Sequence, residues 1–402
     1  MIKTCVIFCG GYGSRLGTIT KRKPKPMVMV NKKPFLEHLL IQVKNLGIKK
    51  VYLLVGYKKE KIIDYFKSGK KLGLKIHYSY SSPDTKTGLR LNLIKDEIKE
   101  EFLLMYCDNY CPINLRKNFS IFKKKKSLIT LSICKKKNGN ITISSDHKVK
   151  YYLSRRKKSN YVEIGYMLFS PKIFKFINKN DVSLNTYFND KRISKKISAA
   201  KINNKYLSIS DNVRLAETRK FFKKKNIILI DRDGVLNLKN KNSRYIRNVN
   251  ELRMNKKLIS ILKKYPEMKY ICITNQAGIA TKDIKNVDLK KININIKNYL
   301  RVNKINVIDF FISIDHFNSK SFLRKPNPGL FFKAAEKYKL LLDKTFYIGD
   351  DPRDIIASYN ANTKCLFVGK KKVLNSRIKS YMSDIILKDL STEINLKRKS
   401  IY

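Results

Sequence analysis

The sequence predicts an α/β protein of two domains, each a mostly parallel sheet flanked by helices, and three observations carry that prediction. At 402 residues the chain exceeds the size at which one hydrophobic core keeps growing, so two cores of roughly 200 residues each are expected. Short apolar runs alternate with longer amphipathic stretches, the pattern of βαβ units rather than of a sandwich. A fresh apolar run with its own carboxylate motif starts abruptly at residue 227, after the polar stretch 219–226. The expected strands are 5–8, 51–55, 102–106, 227–230, 270–274 and 345–348. The expected division is a first domain over 1–221, a second over 222–375 and a basic tail over 376–402 that ends in Lys397-Arg398-Lys399.

Composition narrows the class. Hydrophobic residues at 43% and charged residues at 30% suit a globular protein, and no apolar run approaches the roughly 20 residues that a membrane span needs. The first eight residues run directly into a strand and a glycine turn, which leaves no room for a signal peptide, so a cytoplasmic location is expected. The seven cysteines are scattered without a CxxC pair, as reduced thiols are. The formal net charge of +57 would suit a nucleic-acid partner. However, the excess is mostly Lys, lies in both halves and accompanies abundant Asn and Ile, so compositional drift is the reading adopted and no nucleic-acid partner is expected. Runs such as Lys123 to Lys126 then read as solvated faces.

In the first half, the opening strand delivers Gly10-Gly11-Tyr12-Gly13-Ser14-Arg15-Leu16, followed by Thr20 and Pro24-Lys25-Pro26-Met27. A glycine turn after a strand lets backbone N–H groups approach phosphates, and Arg15 and Lys25 can neutralise them. Together these segments closely resemble the signature of the sugar-1-phosphate nucleotidyltransferases. Further pieces fall in that family's order: Gly56-Tyr57 with Glu60 and Ile62; Thr87-Gly88, where the family contacts the base; the run 103–108 ending in Asp108, with Cys107 in place of the usual Gly; and Glu163-Ile164-Gly165-Tyr166, where it contacts the sugar. The resemblance implies a Rossmann-like fold, a nucleoside triphosphate and a sugar 1-phosphate as substrates, and in-line attack on the α-phosphorus. It also implies that Gly10, Gly11 and Gly13 admit the nucleotide, that Arg15 and Lys25 stabilise charge, and that Asp108 holds Mg²⁺. An isolated Asp at a strand end can equally be a turn residue or a helix cap. One departure stands out: where the family has a second metal-binding Asp, this chain has Ser208-Ile209-Ser210-Asp211, so either Asp211 substitutes or the ligand is gone.

In the second half, the strand 227–230 ends in Asp231-Arg232-Asp233-Gly234-Val235-Leu236-Asn237. Two carboxylates two residues apart at a strand end can converge on one phosphoryl group, Asp231 as nucleophile and Asp233 as acid and base. Thr274-Asn275-Gln276 follows the next strand, Lys325 lies in Arg324-Lys325-Pro326-Asn327-Pro328-Gly329, and Gly349-Asp350-Asp351-Pro352-Arg353-Asp354 closes the series. Four motifs in this order resemble the haloacid dehalogenase superfamily, a Rossmannoid fold. Within it they most resemble the heptose 1,7-bisphosphate and histidinol-phosphate phosphatases. The resemblance implies that Thr274 and Asn275 bind the phosphate and that Lys325 pairs with Asp231. It places Mg²⁺ on Asp231, Asp350 and the Asp233 carbonyl, and the substrate's distal groups on Arg324. Many of these relatives carry a zinc loop before the R-K-P box; here that stretch holds His316 and no Cys, so no zinc is expected.

Removing one phosphate from a sugar bisphosphate leaves the sugar 1-phosphate that a nucleotidyltransferase accepts. The two halves therefore read as consecutive steps of nucleotide-sugar synthesis for surface polysaccharide, each using Mg²⁺. An active phosphatase joined to a degenerate transferase is the alternative. Nucleobase, sugar and oligomeric state stay open.

Overall fold

The opening apolar run becomes the central strand of the first sheet because it is buried on both faces; Cys5, Val6 and Ile7 are all fully covered. In the computed structural model, which describes residues 2–144, 149–177, 182–240, 243–369 and 378, this strand spans Thr4–Cys9. Apart from residue 378, the expected basic tail lies outside the described residues. Chain contacts divide the protein into Met1–Phe222 and Lys223–Tyr402.

In the first unit, Lys50–Val55 and Phe102–Tyr106 flank Thr4–Cys9 in parallel, and Lys75–Tyr80 extends the sheet beyond Lys50–Val55. Lys50–Val55 and Lys75–Tyr80 are thus added on one side of Thr4–Cys9 and Phe102–Tyr106 on the other. Strand order reverses between Thr4–Cys9 and Phe102–Tyr106, which opens a crevice at their carboxyl ends. Past Phe102–Tyr106 the sheet turns mixed: Tyr161–Phe169 runs antiparallel to it and to Ile129–Lys135, and Ile197–Lys201 joins Ile129–Lys135 in parallel.

The stretch 219–226, read from its polarity as a connector, is in part a helix end. The helix Asn212–Phe222 buries Phe221 and Phe222, and the Phe222 ring lies 4.5 Å from His38 and 4.9 Å from Tyr110. Four lysines and an arginine mask two core aromatics in the sequence, because polar side chains dominate a local average while burial depends on which face each residue takes.

The second unit has a five-stranded parallel sheet among its described residues. Its order is Asn306–Ser313, Lys269–Asn275, Ile227–Ile230, Phe346–Gly349, Lys364–Phe367. Here too the order reverses beside the first strand, so Asp231 and Asp350 leave neighbouring strands at the switch point. One core face gathers Leu229, Ile271, Ile273, Phe331 and Tyr347.

Leu229 is fully buried in this central strand. Leu229→Ala is expected to cost about 2 to 5 kcal/mol through lost burial and a cavity. Hydrogen exchange at the amides of Ile227–Ile230 should accelerate correspondingly relative to those of Thr4–Cys9.

Candidate active sites

At the carboxyl edge of the first sheet, the glycine turn and the P-K-P-M box meet. Gly13 is left-handed at φ 70°, and a Cβ there would lie 2.8 Å from Cβ of Lys25, so only glycine lets the lysine turn pack under it. Thr20 braces the turn by donating its hydroxyl to the Gly13 and Gly17 carbonyls at 3.3 and 3.1 Å. The buried Lys25 ammonium reaches across the switch point to Asp108 at 2.5 Å. Arg15, by contrast, is exposed. Gly10 and Gly11 continue directly from the first strand.

Thr87 and Gly88 open the helix Thr87–Asn92. The Thr87 hydroxyl accepts the Leu184 N–H at 2.8 Å, and the Gly88 N–H donates to the Val182 carbonyl at 3.0 Å. Glu163 accepts the N–H of Gly165, itself left-handed at φ 78°. Burial pushes the Glu163 carboxyl up to about 7; the Asp108 charge adds to this and the Gly165 and Tyr166 N–H groups oppose it.

Ser208, at the position of the family's second metal-binding Asp, and Asp211 have different surroundings. Ser208 pairs with Asn109 beside Asp108, is buried, and accepts the Ser210 N–H at 3.2 Å. Asp211 instead accepts the Arg214 N–H at 2.9 Å in the manner of a helix cap, and that bond, with the Arg214 charge, holds its carboxyl below the usual range. Asp108 therefore offers a single carboxylate beside Lys25, a set that phosphate oxygens would have to complete around a cation.

The second unit holds a denser arrangement. Lys325, 4% exposed, places its ammonium 2.9 Å from Asp231 and 2.7 Å from Asp354. It also donates to the Tyr347 hydroxyl at 2.7 Å, and that hydroxyl donates to Asp354 at 3.0 Å. Asn275 straps this lysine in place: its Nδ2 donates to the Lys325 carbonyl and its Oδ1 accepts the Lys325 N–H, both at 3.0 Å. Thr274 is buried at the same strand end. Burial pushes the Asp231 carboxyl up and Asp354 and Asp233 push the same way, while Lys325 pulls it down. Burial disfavours the charged Lys325, yet the two carboxylates outweigh it and keep the ammonium protonated.

Among the described residues, Asp231, Asp350 and Asp354 form a cluster able to hold a metal ion, with one oxygen from each within 4.8 Å of the others. One oxygen of Asp350 is buried without a hydrogen-bond partner, and the other takes Lys239 at 2.5 Å, so the cluster has an acceptor that a hard cation suits. The Asp233 side chain is not part of it. Arg232, fully buried, donates to both Asp233 oxygens at 3.1 and 3.0 Å, and Asn237 and Gln276 add bonds of 3.0 and 2.7 Å. Burial alone would raise the Asp233 carboxyl; the Arg232 charge and these donors hold it below the usual range. The third carboxylate is Asp354, which the sequence reading passed over although its D-x-x-x-D spacing from Asp350 was visible. It sits in the first turn of the helix Pro352–Ala361 and closes a capping box with Asp351.

These groups open on a cavity of about 240 Å³ whose wall includes Lys239, Arg244, Tyr245, Arg324 and Arg353. The loop before Arg324 is tied by Asp315, which accepts from Ser313 at 3.0 Å and Ser321 at 2.6 Å; the His316 ring accepts the Asn318 N–H.

Comparison with known proteins agrees with the two folds. The family described as nucleotidyl transferase matches residues 4–211, and the one described as haloacid dehalogenase-like hydrolase matches residues 194–368. D-glycero-alpha-D-manno-heptose 1-phosphate guanylyltransferase of Campylobacter jejuni is 34% identical over 188 residues, covering 46% of this chain and 80% of that protein. Bifunctional protein GlmU of Methanocaldococcus jannaschii is 32% identical over 181 residues, covering 44% of this chain; the match spans only 42% of that protein. A solved structure of a glucose-1-phosphate thymidylyltransferase from Bacillus anthracis aligns with a TM-score of 0.51 at 17% identity, covering 55% of this chain and 95% of that one, a likeness of fold.

Arg232→Met would strip the partly exposed Asp233 carboxylate of its buried cation and is expected to cost about 1.5 to 3 kcal/mol. Because the Asp233 carboxyl lies below its ordinary value, it contributes stability that is present above about pH 4 and lost as pH falls through the depressed value. Denaturation curves at pH 7 and pH 3 should therefore differ less in the variant than in the parent.

Proposed function

The chain belongs to the nucleotidyl transferase family and continues into a haloacid dehalogenase-like hydrolase domain, and we propose that it carries out two consecutive steps on one sugar. The second unit would remove a phosphate from a sugar bisphosphate, heptose 1,7-bisphosphate being the leading candidate. The first would transfer a nucleotidyl group from a nucleoside triphosphate to the remaining sugar 1-phosphate. The observation that carries the reading is the Lys325 ammonium clamped between Asp231 and Asp354 beside Asp350, at the switch point of a parallel sheet.

In the phosphatase step, an Asp231 oxygen forms a bond to phosphorus as the bond to the sugar oxygen breaks. Asp233 protonates the departing oxygen and then takes a proton from the water that hydrolyses the aspartyl-phosphate; the donors that keep its carboxylate ionised favour the second of these roles. Lys325 neutralises charge on the transferring group, and Thr274 and Asn275 orient it. Mg²⁺, held by Asp231, Asp350 and Asp354, would supply further charge neutralisation. In the transferase step, Gly10, Gly11 and Gly13 admit the triphosphate, Arg15 and Lys25 offset its charge, and Thr87 and Gly88 border the base. Glu163 and Gly165 hold the sugar, and Asp108 would hold Mg²⁺. The guanylyltransferase relative supports a heptose 1-phosphate acceptor.

A second reading keeps only the phosphatase active. The helix-capping role of Asp211 and the buried Ser208 beside Asp108 favour it, since both leave the first unit one carboxylate short.

Purified protein incubated with heptose 1,7-bisphosphate, Mg²⁺ and mixed nucleoside triphosphates is expected to yield a nucleotide-activated heptose detectable by mass spectrometry. Asp231→Asn should lower phosphate release by at least about a thousandfold while sparing transfer to supplied heptose 1-phosphate, and Asp108→Ala should do the reverse. Nucleotide binding without pyrophosphate release would select the second reading; unchanged bisphosphate would reject the substrate.

A further inference from the structure

Arg90 is 3% exposed in the helix Thr87–Asn92, and its guanidinium gathers backbone from three separate segments. Its Nε donates to the Thr85 carbonyl at 2.8 Å. One terminal nitrogen donates to the Ser81 hydroxyl at 2.7 Å and the Val55 carbonyl at 3.4 Å. The other donates to the carbonyls of Ser82 at 2.7 Å, Pro83 at 3.0 Å and Gly10 at 3.3 Å. Gly10 and Gly56 make room for it: a Cβ on Gly10 would lie 1.7 Å from an Arg90 nitrogen, and one on Gly56 would lie 3.0 Å away. An outer tie joins the same loops, where the Tyr12 hydroxyl donates to Asp84 at 3.1 Å.

We propose that Arg90 is a positioning residue for the nucleotide: with the Tyr12–Asp84 tie, it bolts the 81–85 loop to the phosphate turn. The distance between Gly10–Gly13 and the wall carrying Thr87 and Gly88 is thereby set before the triphosphate arrives. The inference rests on the transferase reading of the first unit. A planar fork of five donors reaches acceptors in several directions at once, which the point charge of a lysine cannot reproduce. Glu163 and Gly165, which the same reading gives to the sugar, stand on the strand Tyr161–Phe169, an element that this bolt does not join, so its loss acts on the nucleotide and leaves the sugar side alone.

The test uses the full chain. Isothermal titration of the wild type with ATP, CTP, GTP, UTP and dTTP selects the nucleotide; binding of none of them would reject the transferase reading and the inference together. With the nucleotide that binds, Arg90→Lys is expected to weaken affinity about tenfold or more, and Asp84→Ala, at an exposed site that leaves the core intact, by about threefold. Both variants should raise KM for the nucleotide more than they lower kcat, leave KM for heptose 1-phosphate unchanged and leave phosphate release by the second unit untouched. Wild-type nucleotide affinity in both variants, or an equal rise in both KM values, would overturn the role while leaving the transferase reading in place.

Discussion

The second unit is organised around a buried ammonium ion. Moving Lys325 out of water is costly unless its charge is met at close range, and Asp231 and Asp354 meet it at 2.9 and 2.7 Å while the Ile273 carbonyl and Tyr347 hydroxyl take its remaining hydrogens. These partners come from three strands or their ends and from one helix start, so the lysine can be satisfied only when the parallel sheet has brought them together. Two carboxylates against one ammonium leave negative charge over, and Asp350 adds more. The cluster thereby gains its capacity for a divalent cation.

A similar logic, with opposite emphasis, runs through the first unit. There too strand order reverses beside the first strand, and there too a lysine crosses the crevice to a carboxylate. However, that lysine is ion-paired with Asp108, where Lys325 is ion-paired with two carboxylates. The triphosphate's own oxygens would then supply what the protein does not. Desolvation pushes the Glu163 carboxyl up to about 7, and the nearby Asp108 charge pushes the same way.

Basic side chains serve different ends in the two units. Arg232 is fully buried to keep a neighbouring carboxylate ionised, whereas Arg90 is buried to satisfy loop carbonyls. Neither use follows from the chain's net charge of +57, most of which lies on solvated lysines such as Lys123, paired with Glu101 across the surface.

The sequence by itself determined the two α/β folds and most of the chemical groups, because apolar runs buried on both faces and glycine turns at strand ends are local signals. Asp231, Lys325, Asp350, Lys25 and Asp108 could be read in that way, each at the end of a recognisable run or within a short motif. Tertiary structure alone decided which groups share a site. Asp354 joins the cluster and the Asp233 side chain stays out of it, because the adjacent buried Arg232 and Gln276 from the end of the neighbouring strand claim the latter. Asp211 caps the helix that begins one residue later. Arg90, an ordinary helix residue in the sequence, becomes the bolt between three segments. The bonds of Arg90 to Val55 and Gly10 and of Gln276 to Asp233 join residues far apart in the chain, which no local pattern encodes, whereas the Asp211 cap and the Asp350–Asp354 spacing are local and needed the fold only to give them a setting.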